Sequence, residues 1–201
     1  MSARLVYVVG PSGAGKDSLL HWLRSQLPDK APVHWVRRTI TRPADAGAEN
    51  HESVGQDEFT QILSQQGFAM HWQANGLCYG IRHAQLTPLD RDHWVFVNGS
   101  RANLDKAAQD HPGMVILHIT ASAEVLKQRL VHRGRESADS IEARLRRTIE
   151  PQWPADCLLV EITNDGSLDA SGIRLLRKLQ QLQDWPVPLP DLAHGMSHPH
   201  P

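Results

Sequence analysis

Cysteine is scarce in this chain. Cys78 and Cys157 are its only two, and neither belongs to a Cys-x-x-Cys pair. That excludes a disulfide framework and the small secreted scaffolds that depend on one. Neither sign of charge is in surplus. The 21 Lys+Arg face 22 Asp+Glu, a net charge of −1, so there is no basic field to coat nucleic acid and no acidic solvating tail. The apolar segment near the N-terminus, Leu5–Val9, is too short for a membrane span or a signal core. A soluble cytoplasmic protein is therefore expected, with neither nucleic acid nor membrane as partner. The composition leaves the oligomeric state open, and a homodimer is compatible with it. With 40% hydrophobic and 21% charged residues over 201 positions, the chain reads as one ordinary globular domain. If it handles anions, it does so with local arginines.

What is present alternates. Leu5-Val-Tyr-Val-Val9 is a continuous apolar run, rich in β-branched valine and closed by Gly10, the mark of a strand buried on both faces of a parallel sheet. Asp17–Leu27 then carries apolar residues at Leu19, Leu20, Trp22, Leu23 and Leu27, helical spacing that Pro28 stops. Further strand-like runs are 33–36, 68–72, 94–97, 114–119 and 158–162. Helical patterns lie near 57–66, 101–109, 123–132, 141–150 and 167–183. Strands alternating with helices predict an α/β fold with a mainly parallel sheet. Arg38–Gly55 shows no period and many turn formers, and so long a loop in a compact domain is usually functional. From Trp185 the chain is rich in Pro and His, which predicts a mobile tail.

Gly10-Pro11-Ser12-Gly13-Ala14-Gly15-Lys16-Asp17-Ser18 fits G-x-x-x-x-G-K between a buried strand and an amphipathic helix. Glycines let successive N–H groups turn inward as a nest for phosphate oxygens, and the next helix adds its positive end. Lys16 adds a point charge for the β and γ phosphates. Asp17 stands where such loops usually carry the Ser or Thr that ligates Mg²⁺. A carboxylate is also a hard-cation ligand, so Asp17 is the expected metal residue. The competing reading makes Asp17 a helix-terminus residue, with Ser18 supplying the hydroxyl.

Arg129, Arg133, Arg135, Arg144, Arg146 and Arg147 are spread over two helical pieces and the break between them, Gly134 and the polar stretch to Asp139. So dense a run is costly unless anions bind to it or carboxylates pair with it. Two helices with a basic tip resemble the lid of a nucleoside-monophosphate-type kinase, which brings guanidinium groups onto the transferring phosphoryl. Arg133 and Arg144 are accordingly the catalytic candidates beside Lys16.

The remaining polar clusters are Arg38-Thr-Ile-Thr-Arg42-Pro43, Glu49-Asn50-His51, Trp72–Gly80 and Asn98-Gly99-Ser100-Arg101. Their order resembles guanylate kinase, whose matching segments form a strand-rich acceptor region over the sheet. Tyr79 before Gly80 and Arg42 before Pro43 match residues that hold the acceptor phosphate in that family. The base-reading positions depart. His71 and Asn98 stand where the family has acids, Ile81 where it has a hydroxyl, and Asp45 where it has a second arginine. Without those carboxylates, guanine N1–H and the exocyclic amine find no acceptors, a loss worth several kcal/mol. A different acceptor is implied.

Glu49-Asn-His51, Ala74-Asn-Gly-Leu-x-Tyr-Gly80, Val97-Asn-Gly-Ser-Arg101, Arg133-Gly-Arg-Glu136 and Asn164-Asp-Gly-Ser-Leu168, with the Gly-Lys-Asp-Ser loop, together resemble the ribose 1,5-bisphosphate phosphokinases of phosphonate catabolism. The resemblance spans about residues 4–183. It implies a P-loop fold of the nucleoside-monophosphate-kinase type. It also implies transfer of phosphoryl from ATP, with Mg²⁺, to α-D-ribose 1,5-bisphosphate, giving 5-phospho-α-D-ribose 1-diphosphate and ADP. A doubly phosphorylated sugar needs arginines, amides and hydroxyls, which Arg38, Arg42, Tyr79, Asn98, Ser100 and Arg101 supply. His51 and His71 are candidates for ribose hydroxyls or phosphate, weighed against structural roles. Asn164 and Asp165 fall in the segment that flanks adenine in guanylate-kinase-like folds, although Asp165 or Ser167 would also cap a helix. The nucleophile is a phosphate oxygen already ionised at neutral pH, so no general base is required. The expected organisation is one kinase domain over 1–184, with an acceptor region about 33–82 and a lid about 132–145, then a tail over 185–201. A nucleoside-monophosphate kinase and a non-catalytic binding module of the guanylate-kinase type are the rival readings. Gly15, Lys16 and the arginines argue against the second.

Overall fold

The computed structural model describes residues 4–43, 50–133 and 152–187. The first apolar run is the central strand, β1 (Leu5–Val9), buried at every position. It pairs in parallel with β7 (Trp94–Asn98) on one side and β8 (Val115–Thr120) on the other. β2 (Val33–Trp35) adds beyond β7, and β9 (Leu158–Thr163) beyond β8, both parallel. The order β2-β7-β1-β8-β9 makes the connections leave β1 in opposite directions. The carboxyl end of β1 therefore opens onto the crevice where open α/β sheets bind ligands.

Two apolar faces follow from the alternation of β1. Val6 and Val8 pack with Leu19 and Leu23 of α1 (Lys16–Gln26) and with Leu175, Leu176 and Leu179 of α5 (Leu168–Leu179). Leu5, Tyr7 and Val9 face the other way, into a cluster shared with Ile40, Met70, Trp72, Tyr79 and Ile81. Those residues belong to a second sheet of order β4-β3-β6-β5. It comprises β3 (Thr39–Ile40), β4 (Glu52–Ser53), β5 (Phe68–Ala74) and β6 (Leu77–Arg82). Helix α2 (Gln56–Ser64) covers its far face through Phe59 and Ile62 against Phe68 and Cys78. Between the main strands run α3 (Leu104–Asp110) and α4 (Ala123–Arg133).

Three expectations change. The loop read at 38–55 holds two strands, each only two residues long. The helix read at 101–109 opens as a 3-10 turn over Arg101–Asn103, with Ser100 Oγ accepting from Ala102 N. The tail does not begin at Trp185. Its ring packs edge-on against Trp94, with centroids 5.0 Å apart, and Val187 is buried. The expected helix at 141–150 and residues 188–201 lie outside the described residues.

Candidate active site

The phosphate loop is shaped by its backbone. Gly10 has φ +150°, and a Cβ there would sit 1.8 Å from the Ile119 carbonyl oxygen on β8, so the chain turns out of the sheet only with glycine at this position. Lys16 folds back over the loop, and its Nζ donates to the carbonyls of Gly10 (2.8 Å) and Pro11 (3.1 Å). The outer side of the loop is pinned from two other elements. Asn164 Nδ2 donates to Ala14 O at 2.8 Å. Arg129 of α4 donates to Gly13 O (3.3 Å) and Asn164 O (2.9 Å). One hollow of about 580 Å³ on that side is lined by Gly13, Gly15, Ser18, Gln128, Arg129, His132, Asn164, Gly166 and Leu168.

The other side of the loop opens into a larger cleft of about 950 Å³ shared with the second sheet. The β5–β6 hairpin sets Trp72, Ala74, Leu77 and Tyr79 along its wall. Trp72 and Tyr79 stack with ring planes 1° apart and centroids at 5.5 Å. The Arg38 guanidinium lies 5.3 Å from the Tyr79 ring centroid, a favourable cation–π placement. It also donates to Asn98 O at 3.0 Å, so it joins the second sheet to the end of β7. The cationic lining residues are Lys16, Arg38, Arg42 and Arg101. Among the described residues, Asp17 is the one carboxylate that lines the cleft.

The floor is set from β1. Gly99 leaves no room for a side chain, since a Cβ would lie 2.1 Å from the Tyr7 ring. The Tyr7 hydroxyl donates to Ser100 O (3.2 Å) and accepts from Ser100 N (3.2 Å) and Asn103 Nδ2 (3.4 Å). Burial pushes the phenol above its ordinary range. The Ser100 and Asn103 hydrogen bonds and the nearby Arg38 charge offset part of that rise.

The chain is similar to known proteins in sequence and in fold. The guanylate kinase family model matches residues 2–167. The chain is 45% identical over 192 residues to a ribose 1,5-bisphosphate phosphokinase PhnN of Yersinia pestis, covering 94% of this chain and 95% of that one. It belongs to the guanylate kinase family and, within it, to the ribose 1,5-bisphosphate phosphokinases. Some relatives are longer. The chain spans 45% of a PhnN phosphokinase of Laribacter hongkongensis, to which it is 45% identical over 92% of its own length. It spans 24% of a bifunctional ribose 1,5-bisphosphokinase-thymidine phosphorylase of Azorhizobium caulinodans, at 42% identity over 83% of this chain. A guanylate kinase structure from Anaplasma phagocytophilum shares the fold, with TM-score 0.61, 15% identity and coverage of 90% and 88%. Among the described residues, no helix is long and apolar enough to cross a membrane.

For a member of this kinase family, the geometry sorts the residues chosen from sequence. Gly10, Pro11, Ser12, Gly13, Gly15, Lys16, Asp17, Ser18, Arg38, Arg42, Tyr79, Asn98, Ser100 and Arg101 meet in the large cleft. Ala14 is buried within the loop, and its carbonyl accepts from Asn164 Nδ2 and, at 3.5 Å, from Arg129 Nη1. Three histidine and aspartate candidates sit elsewhere. His51 is buried and holds Arg42, with Nε2 3.1 Å from Arg42 O and Nδ1 3.3 Å from Arg42 Nη2. His71 is exposed, on the strand face opposite Trp72. Asp165 accepts from Ser122 N at 2.7 Å and ties down the entry to α4, while Ser167 caps α5. Arg133 ends α4, and its side chain, like the whole of Arg144, Asp45 and Glu49, lies outside what is described. Tyr7 emerges only from the structure, while Trp72 and Arg129 fall in clusters read from sequence without being chosen as site residues. For Trp72, the sequence signal was the two-residue Asn75-Gly76 link between alternating runs, a strong hairpin mark.

Family membership implies ATP use with a divalent cation, and the loop fits both. Its N–H nest and Lys16 suit polyphosphate. Beside Asp17, the buried Asn98 Oδ1 has no hydrogen-bond partner among the described residues. Among the described residues, no cluster of three His, Cys, Asp or Glu forms a free-standing metal site.

Proposed function

We propose that this chain transfers the γ-phosphoryl of ATP to the 1-phosphate of α-D-ribose 1,5-bisphosphate, giving 5-phospho-α-D-ribose 1-diphosphate and ADP. The observation that carries this reading is the charge pattern of the shared cleft. Lys16, Arg38, Arg42 and Arg101 meet one carboxylate, Asp17, and an aromatic wall of Trp72 and Tyr79. Such a cleft suits two phosphates and a sugar, and among the described residues its one carboxylate, Asp17, belongs to the phosphate loop.

In the reaction, an anionic oxygen of the 1-phosphate forms the new P–O bond. The bond from the γ phosphorus to its bridging oxygen breaks, and ADP leaves with that electron pair. Since the nucleophile is already ionised, no side chain has to remove a proton. The loop N–H groups and Lys16 hold the polyphosphate and offset charge as it shifts to the leaving oxygen. The hollow beside Asn164 receives the adenosine end. Arg38, Arg42, Tyr79, Ser100 and Arg101 orient the acceptor for in-line attack. Mg²⁺ bound with ATP would supply positive charge to offset that of the polyphosphate, and Asp17 would be the residue to hold it. Arg133 and Arg144 remain proposals from sequence for stabilising the moving phosphoryl.

The test is acceptor profiling with ATP and Mg²⁺ over ribose 1,5-bisphosphate, GMP and AMP. Product from the sugar should serve as substrate for a phosphoribosyltransferase. Preference for GMP would establish the nucleoside-monophosphate reading instead.

A further inference from the structure

We propose that Tyr7, on the central strand, is a positioning residue for the acceptor: it holds the main chain of Ser100 and thereby aims Arg101 into the cleft. The proposal rests on the acceptor reading above and extends it to a residue that is fully buried and touches no substrate.

A guanidinium on a long stem binds phosphate best when its aim is already fixed, because fixing it on binding costs rotamer freedom. Arg38 lies against the Tyr79 ring and donates to Asn98 O. Arg42 is gripped by His51. Arg101 lines the same cleft but is exposed, and among the described residues its guanidinium makes no hydrogen bond or ion pair. Its aim is therefore set by the backbone on which it stands.

That backbone is clamped from below. Gly99 N donates to Val8 O at 2.9 Å, and Gly99 passes so close to the Tyr7 ring that any side chain would collide with it. The Tyr7 hydroxyl then takes both main-chain groups of Ser100, N and O, each at 3.2 Å. Ser100 N and Asn103 Nδ2 donate to the hydroxyl oxygen, which leaves its single hydrogen for Ser100 O. The same carbonyl accepts from Asn103 N at 3.1 Å, the bond that closes the 3-10 turn over Arg101–Asn103.

Tyr7 thus grips the residue at which extended backbone (Ser100, φ −125°, ψ 142°) gives way to the turn. Arg101 is the first residue past that point. A small rotation at Ser100 would swing the guanidinium through a far larger arc than the Arg101 Cα. Misplacement of a positioning group is costly for an in-line transfer, so the hydroxyl acts on the acceptor through two covalently linked residues.

The experiment is steady-state kinetics with ATP and ribose 1,5-bisphosphate varied separately, on wild type, Tyr7→Phe, Arg101→Ala and the double variant, each below its unfolding temperature. Tyr7→Phe keeps the ring beneath Gly99 and removes only the hydroxyl. It should raise the acceptor KM about tenfold and leave the ATP KM unchanged. Arg101→Ala should raise the acceptor KM at least as much, since a charge-assisted contact is lost. In the double variant the Tyr7 change should add nothing, because the residue it serves is gone. A purely structural Tyr7 would leave the acceptor KM alone or act equally with and without Arg101, and either result overturns the proposal. If Tyr7→Phe does not fold, Asn103→Leu takes its place in the same cycle. It removes the amide that directs the hydroxyl hydrogen to Ser100, with an expected rise of about threefold. An acceptor KM indifferent to Arg101→Ala would bring down the acceptor reading of this turn, and the proposal with it.

Discussion

His51 grips Arg42 at both ends of the residue, through the backbone carbonyl at 3.1 Å and the guanidinium Nη2 at 3.3 Å. Chemistry assigns the protons. A carbonyl only accepts and a guanidinium only donates, so Nε2 carries the hydrogen and Nδ1 presents its lone pair. His51 is therefore a positioning residue for Arg42, the arginine proposed to meet the acceptor, and is set below the cleft surface. His51→Leu should raise KM for the sugar bisphosphate about tenfold, roughly 1.4 kcal/mol, with KM for ATP unchanged. His51→Gln, which retains an amide donor and acceptor, should recover part of the loss. Steady-state kinetics with each substrate varied separately checks both. A parallel rise in both KM values would place Arg42 in the wrong half of the site.

Asn164 and Arg129 shape the loop from behind. Asn164→Ala removes the donor to Ala14 O and leaves a carbonyl beneath the loop without that partner. Such a loss costs about 1–3 kcal/mol, expressed both as a lower unfolding temperature and as weaker nucleotide binding. The acceptor KM should move little. Thermal unfolding with and without ADP separates the two effects. Stability falling with ADP affinity unchanged would mean that Asn164 supports the fold and not the loop.

Much of the frame was legible in the sequence because burial on both faces leaves a largely apolar run rich in β-branched residues. Leu5–Val9, Trp94–Val97 and Met114–Ile119 could be read that way, and the glycine loop announced the helix after it. The second sheet was harder. Thr39–Ile40 and Glu52–Ser53 are two residues each, too short for any period to register. Their pairing comes from contacts across the chain, Ile40 with Tyr79 and Thr39 with Glu52. In the site, residue types were readable but their aim was not. His51 and Tyr79 both looked like acceptor contacts, yet one sits buried behind Arg42 and the other faces the cleft. Tyr7 was hidden for the opposite reason. Inside an apolar strand it reads as core, and only the fold sets its hydroxyl under Ser100.

Tyr7 carries a pH prediction. Burial is the main reason that its phenol titrates above the ordinary value of 10.0. A raised folded value means that the unfolded chain loses this proton first as pH rises. Its stabilising contribution is therefore complete below about pH 10 and declines as pH climbs from there through the folded value. Tyr7→Phe should lower stability by roughly 1–2 kcal/mol at neutral pH, from the lost bonds to Ser100 and Asn103, and should flatten the alkaline decline. Denaturant unfolding between pH 8 and 11 measures both. An equally steep decline in Tyr7→Phe would assign the alkaline sensitivity to other groups.

Lys16 joins structure to chemistry most directly. Its Nζ spans the carbonyls of Gly10 and Pro11, and it lines the cleft with Asp17 and Ser18. Lys16→Met keeps the aliphatic stem and removes the charge. Two effects of different size should follow. Loss of the carbonyl bonds should lower stability by about 1–2 kcal/mol. Loss of a charge that acts on phosphate oxygens chiefly in the transition state should lower kcat by about 10²–10³-fold. ADP binding should weaken much less than kcat falls, since the loop N–H nest and the α1 terminus remain. The comparison needs kcat, ADP affinity by calorimetry and thermal unfolding on one preparation. A kcat close to wild type would remove Lys16 from the reaction. A fall in kcat matched by an equal fall in ADP affinity would make it a binding residue alone, its charge spent equally on the ground state and the transition state.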